Sequence, residues 1–185
     1  MWNNCSVLTM RNSENLGLRD LVKEWLNGKY DLVGIEIGSY AGESAEMFLE
    51  SNAFKKLYCI DPWKEHYDPR DAAGENGGIH MAEEFFNKRF EGNPIIIKVK
   101  FMSSEVVDMF KDESIDFVYI DGNHTYNAVK EDIKNYLPKV KKCGIISGHD
   151  YGFIGTPDVK KAVDESFNKP PMKLYSDHSW LYIKE

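Results

Sequence analysis

The feature that most constrains the fold is a regular alternation of short apolar runs with longer amphipathic segments. The runs are rich in β-branched residues, which is typical of buried strands, while the segments between them repeat apolar residues at helical spacing. Strands are predicted at residues 32–37, 56–60, 94–101, 115–120 and 145–147, and helices at residues 18–26, 43–51, 81–90, 104–111, 125–140 and 158–168. Because strands that alternate with helices pair in parallel through right-handed crossovers, an α/β fold with a doubly wound sheet is predicted.

The C-terminal part departs from this alternation. Two short strands are predicted at residues 172–175 and 180–183. The link between them is too short for a crossover helix, so they must pair as an antiparallel hairpin. A nicotinamide-binding domain keeps its sheet parallel, and the hairpin therefore disfavours that class.

The length of 185 residues suits a single domain, residues 1–185, with a sizeable core. Residues 1–30 are predicted to form an N-terminal helical extension. Residues 62–80 are polar and contain several Gly and Pro residues, so a mobile excursion on the substrate side is predicted there.

Charge and composition exclude several classes of protein. The formal net charge is −7, which makes nucleic acid an improbable partner, because such proteins grip phosphates with basic residues. No run of about 18 apolar residues is present, so no membrane span is predicted, and no secretory signal is recognisable. The three cysteines, Cys5, Cys59 and Cys143, form no CxxC pair. We therefore expect reduced thiols in a cytoplasmic protein.

The first predicted strand runs into a glycine-rich turn, Glu36-Ile-Gly-Ser-Tyr-Ala-Gly42. In a doubly wound sheet, ligands bind outside the carboxyl ends of the strands, beside the first strand. Gly38 and Gly42 would let the backbone approach a ligand closely. Their G-x-x-x-G spacing differs from the G-x-G-x-x-G that binds a pyrophosphate, and the turn could also be purely structural.

Two further strand ends carry polar or aromatic residues. Asp61 ends the second strand, where a carboxylate can accept both hydroxyls of a ribose; it could equally be a turn residue before Pro62. Trp63 could flank a purine ring or be a core or lid aromatic. Ser103, after the third strand, could lie near the same purine or cap a helix.

Together these features resemble class I S-adenosylmethionine-dependent methyltransferases. Within that superfamily, residues 120–151 are similar to a group of small bacterial and phage-borne enzymes that read "IDG-x-H-x-Y-x-x-V-x-x-D" and then "G-G-x-x-x-x-H-D-Y". Cys143 stands where the group often has the first of the two glycines. The resemblance covers about residues 30 to 185 without the excursion at 62–80, and it implies a Rossmann-like, seven-stranded sheet of order 3-2-1-4-5-7-6.

The resemblance implies S-adenosylmethionine as the cofactor and assigns roles around it. Gly38 and Gly42 would line its methionine part, with Glu36 fixing the loop and the amino group. Asp61 would hold the ribose, and Asp121 would face the methyl group. The cofactor-binding residues predicted from the sequence and the resemblance are Glu36, Gly38, Ser39, Gly42, Asp61, Trp63, Ser103 and Asp121.

Related O-methyltransferases hold a divalent cation after strands four and five. The matching residues here are Asp121, His149 and Asp150, which suit Mg²⁺, Mn²⁺ or Ca²⁺; the alternative is that His149 and Asp150 only bond locally. The predicted catalytic residues are Asp121, His124 and His149. His124 is a candidate general base, and it could instead be the N-cap of the next helix.

The resulting prediction is methyl transfer from S-adenosylmethionine, with O-methylation of a small molecule or sugar. The sequence leaves two alternatives, a nicotinamide-dependent oxidoreductase and a non-catalytic binding module that keeps the cofactor fold. A homodimer that completes the acceptor cleft is a further expectation.

Overall fold

The computed structural model describes residues 16–69 and 78–185. Its centre is a seven-stranded sheet of order β3-β2-β1-β4-β5-β7-β6, which confirms the predicted topology. The strands are β1 Leu32–Ile37, β2 Phe54–Ile60, β3 Ile96–Val99, β4 Ile115–Ile120, β5 Val140–Gly148, β6 Lys173–Leu174 and β7 Trp180–Ile183.

The first five strands pair in parallel, and the last two do not. β1 lies between β2 and β4, with Ile37 opposite both Ile60 and Ile120. β7 runs antiparallel to both β5 and β6, as the short link predicted. The carboxyl ends of β1, β2, β3 and β4 therefore meet along one edge of the sheet, where the predicted site residues lie.

Helices cover both faces of the sheet and enclose two hydrophobic cores. In β4, Phe117 and Tyr119 point into one core, and Val118 and Ile120 point into the other, as the alternation of a strand requires. The helices are α1 Leu16–Leu21, continued by a π-helical turn at Val22–Leu26, α2 Glu43–Glu50, α3 Gly78–Arg89, α4 Tyr126–Tyr136 and α5 Pro157–Phe167. Helices α1, α2 and α3 pack on one face of the sheet, and α4 and α5 pack on the other.

Some predicted boundaries are wrong for identifiable reasons. The helix predicted at 104–111 is replaced by two 3-10 turns, Ser103–Glu105 and Val107–Met109, separated at Val106 with φ −118°. The adjacent β-branched residues Val106 and Val107 disfavour a continuous helix there. Residues 125–140 were predicted as one helix, but Pro138 cannot continue it, and a 3-10 turn at Leu137–Lys139 ends the segment.

The fifth strand also begins earlier than predicted. Residues 142–144 are part of β5 rather than a turn before it, although Cys143 has a positive φ of 60° and the pairing with β4 is irregular there. The C-terminal chain explains this extension: Cys143 N donates to Lys184 O, and Lys184 N donates to Gly144 O.

The two segments singled out at residues 1–30 and 62–80 are described in part. Residues 1–15 and 70–77 lie outside the described residues. The helical turns at 16–26 bury Leu18, Leu21 and Leu26 in a core of the sheet. Residues 78–80, predicted to belong to the excursion, form the start of α3. Among the described residues, none of the helices is both long and apolar enough to cross a membrane.

Candidate active site

An open cavity of about 620 Å³ lies at the carboxyl edge of the sheet. Residues that follow β1, β2, β3 and β4 line it, among them Gly38, Asp61, Ser103 and Asp121. Four of the eight predicted cofactor residues therefore share one cavity.

Gly38 is required by a close backbone approach. Its φ is +87°, and a Cβ there would lie 2.0 Å from Asp121 O. The loops after β1 and β4 are held together at this point, since Asp121 N donates to Ile37 O at 2.8 Å. Gly42, with φ +86°, serves packing instead, because its Cβ would meet the Phe90 ring at 2.4 Å.

Glu36 and Ser39 lie beneath the cavity rather than in its wall. Both are buried, and the Ser44 hydroxyl donates to Glu36 Oε1. Burial raises the pKa of Glu36 to about 7, although the hydroxyls of Ser39 and Ser44 lower it. Glu36 Oε2 has no hydrogen bond of good geometry within the described part of the chain. Glu36 therefore fits the role of fixing the loop, and its second oxygen is an acceptor still to be satisfied.

Asp61 directly follows β2 and contacts the loop after β1. It lines the cavity and is 7% exposed. Its Oδ2 accepts from Tyr40 N at 2.9 Å, and its Oδ1 accepts from Trp63 N at 2.7 Å. Burial raises the pKa of Asp61, and these backbone donors lower it. The backbone of Ser39 is a third donor to this carboxylate, which has room to accept a sugar hydroxyl beside the three.

Trp63 belongs to the core, which favours its interpretation as a core or lid aromatic over that as a residue that flanks a purine. It is 2% exposed and is not among the lining residues of the cavity. Its ring centroid lies 5.0 Å from that of Phe86, and its Nε1 donates to Tyr40 O at 2.8 Å. Trp63 supports the loop after β1 from below.

Ser103 forms part of the far wall, with a buried acid behind it. The Ser103 hydroxyl donates to Asp132 of α4, and Tyr136 OH donates to Ser103 O at 2.8 Å. Burial raises the pKa of Asp132 to about 7, against the hydrogen bond from Ser103. Sequence reasoning missed Asp132, although a charged residue on the apolar face of a helix was a visible signal.

The loops after β4 and β5 bring charged groups together beside the cavity. Ligand atoms of Asp121, His124 and Asp150 all lie within 4.8 Å of one another. His124 Nε2 lies 2.7 Å from Asp150 Oδ2 and 3.4 Å from Asp121 Oδ1. The predicted set had His149 in place of His124. His149 lies outside this group, with its Nδ1 3.5 Å from Asp150 Oδ1 and 3.9 Å from Asp121 Oδ1.

The protonation of this cluster argues against His124 as a free base. Burial by itself would lower the pKa of His124, but hydrogen bonds to three carboxylates outweigh it and raise the pKa to about 12. His149 follows the same pattern, and nearby acids raise its pKa to about 9. With these pKa values, both imidazoles are in the positively charged form at neutral pH when no ligand is bound. The N-cap interpretation of His124 is wrong, because Thr125 is the N-cap of α4.

A segment that sequence reasoning missed crosses beside the cluster. Tyr67 and Asp68, which follow β2, line the cavity together with His124. Asn123 Nδ2 donates to Tyr67 O at 2.7 Å, and His124 N donates to Asp68 Oδ2 at 2.9 Å. These bonds tie residues 67–68 to the loop after β4. No periodic pattern marked either residue, since this segment has no regular secondary structure.

Comparison with known proteins decides the family. Residues 35–151 match the family described as "Methyltransferase domain". The chain belongs to this family. The fold and the family together confirm the resemblance to class I S-adenosylmethionine-dependent methyltransferases, and they disfavour the nicotinamide-dependent alternative.

Two relatives of this chain are distant in sequence. An uncharacterised protein of Sinorhizobium fredii is 25% identical over 124 residues, which are 63% of this chain and 13% of that protein. An uncharacterised protein of Acanthamoeba polyphaga mimivirus is 28% identical over 159 residues, covering 84% of this chain and 68% of the other. Among solved structures, the O-methyltransferase NovP has a TM-score of 0.60 at 16% identity, over 94% of this chain and 78% of its own.

Proposed function

We propose that this methyltransferase transfers the methyl group of S-adenosylmethionine to a hydroxyl oxygen of a small molecule, such as a sugar. The observation that carries the proposal is the position of Asp121. It lines the cofactor cavity on one side and belongs to the acidic cluster on the other. The name of the structurally similar O-methyltransferase NovP supports oxygen as the accepting atom.

The residues that line the cavity suit the polar groups of the cofactor. When bound, S-adenosylmethionine supplies a methyl group on a sulfonium that is already a good leaving group. Asp61 binds the ribose, and the Ser103 wall lies at the adenine. Gly38 keeps the loops after β1 and β4 in contact, which holds Asp121 at the methyl side. Alignment of acceptor and methyl group can supply several kcal/mol of the barrier.

The acidic cluster positions the acceptor. Asp121 and Asp150 would hold a divalent cation, which lowers the pKa of a hydroxyl bound to it. The donor set fits such an ion, because three carboxylates surround one imidazole here: Asp68, Asp121 and Asp150 around His124. The Asp121 side chain is the most exposed of the four, at 29%, and so lies nearest to an incoming acceptor.

The proposal is tested by following radiolabelled methyl from S-adenosylmethionine into sugars and small phenols, with wild type and Asp121→Ala. We expect labelled ethers from wild type, and turnover reduced at least a hundredfold in the variant, with binding of S-adenosylhomocysteine retained. Asp112→Ala, at an exposed residue paired with Lys139, is the matched control and should behave as wild type. Equal turnover in Asp121→Ala, or methyl transfer only to nitrogen or sulfur, contradicts the proposal.

Two other interpretations have distinct outcomes. A non-catalytic module would bind S-adenosylhomocysteine and transfer no methyl group to any acceptor in the panel. A homodimer stays a prediction, and size-exclusion chromatography with light scattering measures it directly.

A further inference from the structure

We infer that His124, rather than His149, is the third protein ligand of the cation in the acidic cluster, and that Asp68 orients its ring. The inference rests on the proposed function, because it concerns the cation that would serve methyl transfer. It assigns a role to a histidine and to an aspartate that neither the family match nor the position of the strand ends identifies.

The first step is the position of His124 Nε2. It lies 2.7 Å from Asp150 Oδ2 and 3.4 Å from Asp121 Oδ1. Neighbouring ligands of one ion with bonds near 2.1 Å stand about 3 Å apart. Both separations from Nε2 are therefore close to the spacing of neighbouring ligands, and ligand atoms of all three residues lie within 4.8 Å of one another.

The second step is the other nitrogen of the same ring. His124 Nδ1 lies 2.6 Å from Asp68 Oδ2, which also accepts from the backbone His124 N at 2.9 Å. Metal-binding histidines almost always donate their second nitrogen to a carboxylate or carbonyl, which fixes the tautomer and the ring orientation. Asp68 makes this contact and leaves Nε2 directed at Asp121 and Asp150.

His149 lacks such an arrangement. The nitrogen that faces the cluster is Nδ1, at 3.5 Å from Asp150 Oδ1. Its Nε2 is buried, with no hydrogen-bond partner among the residues that the structure describes. Among the described residues, nothing at Nε2 fixes the tautomer that a ligand at Nδ1 needs, so the geometry favours His124 as the ligand.

Burial and charge favour a cation at this place. The Asp68 and Asp150 side chains are only 7% and 12% exposed, and His124 is 18% exposed. The three carboxylates that face His124 stand close together where water screens them poorly, which favours the binding of a divalent cation.

The donor set also indicates the class of metal. The imidazole narrows the choice of Mg²⁺, Mn²⁺ or Ca²⁺ expected from the sequence, because Mg²⁺ and Ca²⁺ prefer oxygen donors, whereas Mn²⁺, Fe²⁺, Co²⁺ or Zn²⁺ also bind an imidazole. We therefore expect the chain to bind Mn²⁺ more tightly than Mg²⁺, which differs from a site built from carboxylates alone.

The test is Mn²⁺ binding to the full chain, measured by titration calorimetry and by pulsed electron paramagnetic resonance. In wild type we expect one Mn²⁺ with the ¹⁴N modulation of a directly bound imidazole. His124→Gln should abolish that modulation and weaken binding at least tenfold, and His149→Gln should keep it. Asp68→Asn should weaken binding roughly 10- to 100-fold, and Asp68→Glu should restore much of the loss.

Two exposed residues, His80 and Asp108, provide matched control variants. His80→Gln and Asp108→Asn remove the same groups at exposed positions and should bind Mn²⁺ as wild type does. No Mn²⁺ binding by wild type, a ¹⁴N signal that survives His124→Gln, or one lost in His149→Gln overturns the inference. Binding of S-adenosylhomocysteine and methyl transfer, measured on the same preparations, decide the proposed function independently of the metal result.

Discussion

Replacement of Gly38 by Ala tests the close contact between the loops after β1 and β4. The new Cβ would lie 2.0 Å from Asp121 O and 2.4 Å from Asp121 C, both backbone atoms that cannot move aside alone. The φ of +87° adds a second penalty. A left-handed backbone costs a non-glycine residue about 1–2 kcal/mol, and overpacking costs about 1–3 kcal/mol. The expected loss in the free energy of unfolding is therefore roughly 2–5 kcal/mol.

Gly92→Ala separates the two penalties. Gly92 also has a positive φ, of +72°, but nothing lies within 4 Å of its added Cβ. Urea denaturation should show a loss of about 1–2 kcal/mol for Gly92→Ala, from the backbone alone. Binding of S-adenosylhomocysteine should weaken in Gly38→Ala and not in Gly92→Ala. If both variants lose equal stability, the contact between Gly38 and Asp121 does not shape the site as argued.

Two further predictions concern residues around the cavity. Trp63→Phe should lower the free energy of unfolding by roughly 1–3 kcal/mol, because packing and the hydrogen bond to Tyr40 O are lost. The affinity for S-adenosylhomocysteine should stay within about threefold of wild type. A tenfold loss of affinity would instead indicate that Trp63 flanks the purine. The pKa of Asp132 is raised from 3.8 to about 7 by burial, so the folded chain binds a proton that the unfolded chain has released. The stabilisation that protonated Asp132 gives the folded chain is complete below pH 3.8 and is lost as the pH rises through 7. The Asp132→Asn variant cannot ionise, so between pH 3.8 and 7 its free energy of unfolding should rise relative to wild type by a few kcal/mol, on the order of 4 at most. Urea denaturation across this pH range measures the difference, and parallel profiles of the two proteins would refute the prediction.

The strands and their order were the most predictable part of the fold. β1, β4 and β7 have the predicted bounds, because each is a short apolar run between clear turn signals. The errors lie where tertiary contacts override local pattern. The start of β5 depends on backbone bonds to Lys184 from the far end of the chain, which no local window contains.

The site was predictable only as far as strand ends define it. Asp61, Asp121 and Asp150 follow strands, and parallel pairing brings them to one edge. Asp68 comes from a segment without periodicity, so its contact with His124 could not be inferred. The choice between His124 and His149 as a ligand depends on which nitrogen faces the carboxylates, and that is a matter of side-chain geometry.

Calorimetric titration with S-adenosylhomocysteine tests most directly whether an adenosyl cofactor binds over Asp61. We expect one molecule bound by wild type, no measurable binding of NAD⁺, and an affinity at least tenfold lower in Asp61→Asn, since hydrogen bonds to a charged group contribute about 1.5–3 kcal/mol. Asp112→Asn should bind as wild type does. Absence of binding to wild type, or equal affinity in Asp61→Asn, would contradict the account.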